Sequence, residues 1–316
     1  MRQPMQGVLA GLVAGTVYGV AARFFAESSI LVAAFAVMTL AFLFVVPVVV
    51  GYLTVRTHPS PSWMYRLFMP WIPTLLAIAT SALLGWEGSI CILMGTPLLL
   101  LLSSVGGVIG AYEVVGSRGF GALMVCLPLL VAPLESRVPL PRSPREVHTT
   151  IEIDAPAPTV WRQVVTVPPI RLKERKPALF TALGFPAPIA VTLDRPGVGG
   201  VRQATFTGGL RFVETVTVWE ENERLSFSIA PQTDAIPPGT LDRHVTIGGA
   251  YFDVLDGTYS IEPLGVGRCR LHLLSRTRVS THFNIYAGLW SDTVMRSIQR
   301  NILAVIRARA EGSPHG

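Results

Sequence analysis

The stretch "IYAGLWSDTVMRSIQRNILAVIRARAE", residues 285–311, places apolar residues at helical spacing among several arginines. The apolar side of the predicted helix carries Trp290, Val294, Met295, Ile298, Ile302, Val305 and Ile306. The polar side is predicted to carry Asp292, Arg296, Gln299, Arg300 and Arg307. Because these charges exclude the helix from the interior of a bilayer, we predict that its apolar side packs on a sheet. A position flat on a membrane surface is the alternative.

The residues before this helix predict the sheet that it covers. The segment "VHTTIEIDAP" alternates polar and apolar residues and ends at Pro156, and "PAPTVWRQVV" then predicts a short helix. After a proline-rich passage, strands are predicted at residues 201–207, 210–219, 225–230, 251–262 and 268–279. The predicted order is therefore one strand, helical connections, several antiparallel strands and one long helix.

Residues 147–311 resemble the START-like superfamily, also called SRPBCC, which includes polyketide cyclases, dehydratases and lipid-transfer proteins. The resemblance rests on four segments: "TIEIDAPAPTVWRQV", "RFVETVTVWEENERLSFSI", "GTYSIEPLGVGRCRLHLLSRTRV" and "IQRNILAVIRARAE". It implies an α+β helix-grip fold, in which an antiparallel sheet curls around the long C-terminal helix and leaves an apolar cavity. It also implies a lipid, sterol, polyketide or other hydrophobic ligand, and only some members of the superfamily are enzymes.

Alternation along the strands predicts which residues face that cavity, because successive side chains point to opposite faces. On the last strand the inward residues are Cys269, Leu271, Leu273, Thr277 and Val279, and the outward, solvated residues are Arg268, Arg270, His272, Arg276 and Arg278. On the strand before it Tyr251, Asp253, Leu255, Tyr259 and Ile261 share a face unless a bulge at Gly257 shifts the register. The predicted ligand-binding residues are Phe227, Tyr251, Leu255, Tyr259, Leu271, Leu273, Trp290, Val294 and Ile298. The alternative is that these side chains fill a solid core.

A catalytic role needs an acid or base inside the cavity. The candidates are Glu214 and Asp253, with His244 and His282 beside them, and none stands in a recognised motif. The sequence thus favours a binding protein over an enzyme and leaves the choice open. Phosphate-binding glycine loops, nucleophile elbows and metal-ligand spacings are absent, and the three cysteines are scattered, so we expect no cofactor and no metal.

The first half of the chain predicts a membrane region at residues 1–134. Apolar runs at 7–25, 30–55, 68–86 and 89–112 each approach the roughly 20 residues that cross a bilayer. A fifth run, 119–134, is shorter and contains Pro128, so we predict four to five transmembrane helices. Glycines at positions 7, 11, 15 and 19 line one face of the first helix. That spacing favours close packing within the bundle over homodimerisation.

Residues 135–146 predict a linker, and residues 312–316 form a tail. Loop arginines are equally divided between the two sides if there are five spans, whereas four spans place seven of eight on one side. On that count we expect the C-terminal domain in the cytoplasm. We expect an integral protein of a bacterial inner or cell membrane.

The chain has 316 residues, of which half are hydrophobic and 15% charged, and its net charge is +6. Beside a membrane region this balance favours anionic lipid headgroups as partners, and not nucleic acid, with Arg137, Arg142 and Arg145 as the contacting cluster. Solvated surface is the alternative for that cluster. We predict a membrane-anchored protein that binds or transfers a hydrophobic small molecule. The alternatives are a cyclase- or dehydratase-type enzyme and a scaffold that recognises a protein, and the oligomeric state stays open.

Overall fold

The computed structural model describes residues 2–27, 37–58, 62–112, 118–171, 174, 179–182, 184–232 and 245–312. The chain divides into two compact units, Met1–Leu140 and Pro141–Gly316. Each unit has a hydrophobic core of its own, helical in the first unit and built from sheet and helices in the second.

The first unit is helical. Its elements are α1 (Arg2–Glu27), a π-helical turn (Ala41–Val45), α2 (Val46–Arg56), α3 (Trp63–Phe68), α4 (Trp71–Leu83), α5 (Ser89–Tyr112) and α6 (Arg118–Glu135). Three helical segments in the described part of the chain are long and apolar enough to cross a membrane: Met5–Ala26, Trp63–Leu83 and Ser89–Tyr112. Two apolar segments are shorter, Ala41–Arg56 and Gly119–Glu135. Of the predicted run at 30–55, residues 30–36 lie outside the described residues.

The glycine stripe of α1 faces other helices of the same unit. A Cβ atom at Gly11 would overlap the backbone carbonyl of Thr54 in α2, and one at Gly19 would lie 3.1 Å from Ala77 in α4. The prediction of close packing within the bundle is therefore confirmed. Helices α2 and α5 approach as closely, because a Cβ atom at Gly106 would overlap the Val48 carbonyl oxygen.

Buried charges of the first unit are paired and lie near helix ends. The Arg23 Nε atom of α1 donates to Glu87 Oε1, between α4 and α5, at 2.6 Å. The Glu135 carboxylate at the end of α6 accepts the backbone N–H groups of Leu40 and Ala41, at 2.7 and 3.1 Å. Since a buried charge is costly without a partner, these pairs explain how the helices tolerate ionised groups.

In its described residues the second unit has one seven-stranded antiparallel sheet and three α-helices. Its elements are β1 (Arg142–Ile153), α7 (Ala157–Val165), α8 (Leu179–Ala182), β2 (Pro188–Leu193), β3 (Val201–Phe206), a 3-10 turn (Thr207–Gly209), β4 (Arg211–Glu220), β5 (Arg224–Gln232), β6 (Phe252–Gly265), β7 (Arg268–Ser280) and α9 (Asn284–Gly312). The strand order is β1-β7-β6-β5-β4-β3-β2. The curled antiparallel sheet with a C-terminal helix fits the helix-grip fold.

The edge strands differ from the sequence prediction. Strand β1 begins at Arg142, inside the segment 135–146 that was predicted to be a linker, because residues 142–146 pair with the end of β7. Pro144 is tolerated there since β1 is an edge strand, where a missing N–H group need not interrupt the sheet. Strand β2, at the opposite edge, was not predicted because it follows directly on a proline-rich passage.

Helix α9 packs on β1 and β7, but its buried side differs from the predicted one. Gln299, predicted on the polar side, is fully buried. Its Oε1 accepts from the Thr149 hydroxyl at 2.7 Å, and its Nε2 donates to the Val147 carbonyl and the Ser275 hydroxyl, each at 2.9 Å. The prediction was wrong because three partners on β1 and β7 satisfy the amide and remove the cost of burying it.

The two halves of α9 are buried to different extents. In the C-terminal half Leu303, Ile306 and Ala310 are fully buried in the core that includes Trp161 of α7. In the N-terminal half the predicted apolar side is only half-buried, at Trp290, Val294, Met295 and Ile298. The helix therefore closes on the sheet at one end and leaves apolar side chains incompletely covered at the other.

We predict that Gly106→Ala lowers the thermal midpoint of the full chain in detergent. The new methyl group would overlap the Val48 carbonyl and force α2 and α5 apart, at a cost of about 1–3 kcal/mol. Gly119→Ala is the matched control, because its methyl group has no neighbour within 4 Å and alanine favours a helix. Equal losses in the two variants would contradict the close approach of α2 and α5.

Candidate functional site

The concave face of the sheet, on the side of α9, presents a mostly apolar wall. Its buried residues on the central strands are Phe212, Glu214, Val216, Leu225, Phe227, Tyr259, Ile261, Leu271, Leu273 and Thr277. Four of the predicted ligand-binding residues, Phe227, Tyr259, Leu271 and Leu273, lie on this face and belong to the buried core that includes Leu303 and Ile306 of α9. Trp290, Val294 and Ile298 of α9 are half-buried, as is Tyr251 just before β6. Their part in binding a ligand stays a prediction.

Two predicted site residues of β6 do not face inward, because this strand contains a bulge. Val254 pairs with Thr277 and Asp256 with Arg276, so Leu255 is an extra residue in the strand. Leu255 is 39% exposed. Asp253 lies on the outer face, where its Oδ2 atom is 3.8 Å from Nη2 of Arg278. The predicted alternation failed because the bulge lies at Leu255, and Val254 takes the inward place.

The histidine candidates do not join Glu214 either. His244 lies outside the described residues. His282 is half-buried in the turn between β7 and α9, and is not part of a strand. Among the described residues, Glu214 is thus the one acid–base candidate from the sequence that lies on the concave face.

Glu214 forms a buried ion pair with Arg202, a residue that the sequence analysis missed. The two residues are direct partners on β3 and β4, and Arg202 Nη1 lies 2.9 Å from Glu214 Oε2. Their side chains are 2% and 10% exposed. The sequence pattern that could have revealed Arg202 is "VRQATF", in which Arg202 shares a strand face with the apolar Ala204. Its partner, however, depends on a strand register that one sequence does not reveal.

Aromatic side chains and one backbone carbonyl hold the Arg202 guanidinium. Its Nη2 donates to the Val164 carbonyl of α7 at 3.0 Å. The guanidinium carbon lies 4.5 Å from the ring centre of Phe227 and 6.0 Å from that of Tyr259, which is cation–π geometry. The Phe227 ring lies across Gly257, where a Cβ atom would be 2.8 Å from the ring. Gly257 therefore makes room for the ring that supports Arg202.

The pair retains polar atoms without aligned hydrogen bonds. Within the described residues these atoms are Nε and Nη1 of Arg202 and Oε2 of Glu214. Nη1 and Oε2 are close, at 2.9 Å, but their orientation gives an electrostatic contact and not an aligned hydrogen bond. Because buried polar atoms are nearly always hydrogen-bonded, this arrangement suits an additional polar atom from a ligand or a water molecule.

Burial sets the protonation of the neighbouring groups. Desolvation raises the pKa of Glu214 above its ordinary value, and the charge of Arg202 offsets part of that rise. Desolvation also raises the pKa of Tyr259, so its phenol keeps the proton at neutral pH. The site therefore combines a cation, a phenol and a carboxyl whose pKa is raised by burial. These groups can orient a carbonyl, hydroxyl or carboxyl group of an otherwise apolar molecule.

The outer face of the sheet carries the predicted row of arginines in ion pairs. The pairs are Arg268 with Glu152 and Asp154, Arg270 with Glu152 and Glu262, Arg276 with Asp256, and Arg278 with Asp253. The prediction that this face is solvated is confirmed for the exposed members Arg268 and Arg276. Among the described residues, no group of three or more His, Cys, Asp or Glu is arranged to hold a metal ion.

The fold and the site define an antiparallel-sheet domain closed by a C-terminal helix, with a polar pair in an apolar wall. No family model and no curated protein matches the chain. Among solved structures, a protein from Arthrobacter aurescens is similar at 16% identity, over 54% of this chain and 87% of that one, with a TM-score of 0.34.

Two further solved structures are similar over the same share of the chain. One is norcoclaurine synthase from Thalictrum flavum in complex with dopamine and hydroxybenzaldehyde, at 17% identity, 54% of this chain, 90% of that chain and a TM-score of 0.32. The other is a protein from Chromobacterium violaceum, at 14% identity, 53% of this chain, 98% of that chain and a TM-score of 0.32.

We predict that the difference in thermal midpoint between Glu214→Gln and the wild type shifts in favour of the variant as the pH rises. Burial raises the pKa of Glu214 above 4.5, so the folded state holds this proton more tightly than the unfolded chain. The wild type therefore has the full benefit below the ordinary pKa and loses it as the pH rises through the raised value. The measurement is the difference in thermal midpoint between variant and wild type, from about pH 4 to about pH 8.

Glu262→Gln is the matched control on the outer face and has the opposite sign. A hydrogen bond with His272 lowers the pKa of Glu262, so the benefit of its charge is present above the ordinary pKa and is lost as the pH falls. The midpoint difference of this variant should fall as the pH rises. A difference for Glu214→Gln that stays constant with pH would contradict the raised pKa.

Proposed function

We propose that the protein is anchored in a membrane by its first unit and that its second unit binds a hydrophobic small molecule carrying a polar group. The ligand lies between the concave face of the sheet and the N-terminal half of α9. The observation that carries this proposal is the Arg202–Glu214 pair, which is buried in an apolar wall and whose Arg202 Nε atom has no hydrogen-bond partner among the described residues. The resemblance of residues 147–311 to START-like proteins supports the same class of ligand.

The partial burial of α9 supports the position of this ligand. A helix that only fills a core would bury its apolar side along its whole length, as Leu303 and Ile306 do. Trp290, Val294 and Ile298 instead remain half-buried in the N-terminal half of the helix. Ligand sites are typically apolar with a few convergent polar groups, which matches this wall together with Arg202 and Glu214.

The helices of the first unit support the membrane anchor. Three helical segments have the length and composition of a span, and the charges of Arg23 and Glu87 neutralise each other near helix ends. Anionic headgroups remain proposed partners for Arg137 and Arg142, which are exposed. Arg145 is a weaker candidate because Asp292 engages it through two hydrogen bonds. The cytoplasmic side is proposed from the loop arginines alone.

An enzyme acting on such a ligand is the second candidate, favoured by the raised pKa of Glu214. A carboxyl that is neutral at higher pH than usual can donate a proton to a substrate carbonyl or hydroxyl. On this reading, Glu214→Gln retains the bound molecule and abolishes its conversion. Mass spectrometry of the ligand pool before and after incubation with the full chain tests it, and an unchanged pool with wild-type protein would contradict turnover.

We predict that the purified full chain retains an apolar molecule and that Val294→Trp lowers its occupancy at least about tenfold. The larger side chain would take up volume that the proposed ligand fills beside α9, and a loss of about 1.4 kcal/mol in binding free energy already gives tenfold. Mass spectrometry of organic extracts, normalised to protein, measures the occupancy.

Arg296→Trp is the matched control, because it introduces the same side chain at an exposed position two residues further along α9. It should leave the extracted ligand unchanged. An empty extract from the wild type, with no uptake of fluorescent lipids, would contradict the proposal and favour a domain that recognises a protein partner.

A further inference from the structure

The N-terminal end of α9 exposes two aliphatic side chains on one side of the helix. Ile285 is 86% exposed and Leu289, one turn later, is 62% exposed. Residues four apart lie next to each other on a helix surface, so the two side chains form one apolar patch. Tyr286 and Trp290 are the next residues in the sequence after the two members of the patch, and their ring centres are 6.5 Å apart. Both residue types favour the boundary between water and lipid.

This end of α9 is tied to the first residues of the second unit. The Asn284 side chain donates from Nδ2 to the Pro141 carbonyl oxygen at 2.7 Å. Pro141 follows the last residue of the apolar helix α6 by six positions, and six residues span at most about 20 Å. A membrane that holds α6 is therefore only a short length of chain away from the start of α9.

The charge beside the patch is positive. Arg142, adjacent to Pro141, is exposed. An aliphatic patch flanked by an exposed arginine and aromatic rings matches the chemistry of a bilayer surface that contains anionic headgroups.

We infer that Ile285 and Leu289 insert into the headgroup region of the bilayer and thereby hold the half-buried end of α9 at the lipid surface. The inference rests on the proposed function, because it assumes that the first unit is in the membrane. It adds to that function that the ligand comes from the bilayer. The uncovered apolar side at Trp290 and Val294 belongs to the same helix end, so a molecule leaving the bilayer meets it first.

The test places an environment-sensitive fluorophore on single cysteines in the full chain, with Cys91, Cys126 and Cys269 replaced by alanine. Ile285→Cys and Leu289→Cys are the probe positions. Val266→Cys is the matched control, because Val266 is a fully exposed aliphatic residue in the hairpin between β6 and β7, at the other end of β7 from α9. The chains are reconstituted into vesicles of phosphatidylcholine and phosphatidylglycerol, with and without brominated lipid.

We expect brominated lipid to quench the labels at 285 and 289 at least twofold more strongly than the label at 266. Quenching at 285 and 289 should be weaker in vesicles of phosphatidylcholine alone, and it should also be weaker with Arg142→Gln. Equal quenching at all three positions would overturn the inference, and so would a crosslink between two Ile285→Cys chains without quenching.

Flotation of the vesicles after a carbonate wash separates the two proposals. Chains that float without quenching at 285 refute only the lipid contact, whereas chains that do not float refute the membrane anchor.

Discussion

The hydrogen bonds of Gln299 determine where α9 lies on the sheet. Hydrophobic contact is non-directional, so an apolar helix face alone can rotate or slide on a sheet at little cost. A buried amide cannot, because each lost partner leaves a polar group without compensation. Gln299 finds three partners on β1 and β7, and they hold α9 in the rotation that directs Leu303 and Ile306 into the core. In the same rotation Trp290 and Val294 stay half-buried.

The Arg202–Glu214 pair is a poor way to stabilise a fold. Two buried charges lose hydration that their mutual attraction replaces only when every remaining polar atom is hydrogen-bonded. Here Arg202 is supported by Val164 and the Phe227 ring, yet several of the pair's atoms have no aligned partner. Replacement of such a pair by apolar residues of similar volume is often neutral or stabilising. The pair is therefore more readily explained by recognition of a polar group than by packing, which is why the proposed function rests on it.

Sequence patterns correctly predicted which side chains face inward on a strand without a bulge. They failed for residues whose position depends on partners far away in the sequence. The inward and outward residues of β7 followed simple alternation because that strand has no bulge of its own. On β6 one extra residue, Leu255, moved Asp253 to the outer face. Gln299 was predicted to face solvent because its hydrogen-bond partners lie on β1 and β7, which the pattern of the helix does not reveal. Arg202 was missed for the same reason, since its partner Glu214 is fixed by the register of β3 on β4.

Attachment to a membrane and recognition of an apolar ligand are physically related. A molecule that fits a wall of Leu271, Leu273 and Phe227 dissolves poorly in water and resides mainly in lipid. A free domain would have to encounter it by random collision with the bilayer. A domain joined to membrane helices by a short segment instead meets the lipid surface at an effective concentration on the order of millimolar. On the proposed function, the anchor therefore contributes to capture without adding a single contact to the ligand, and it explains why the two units belong to one chain.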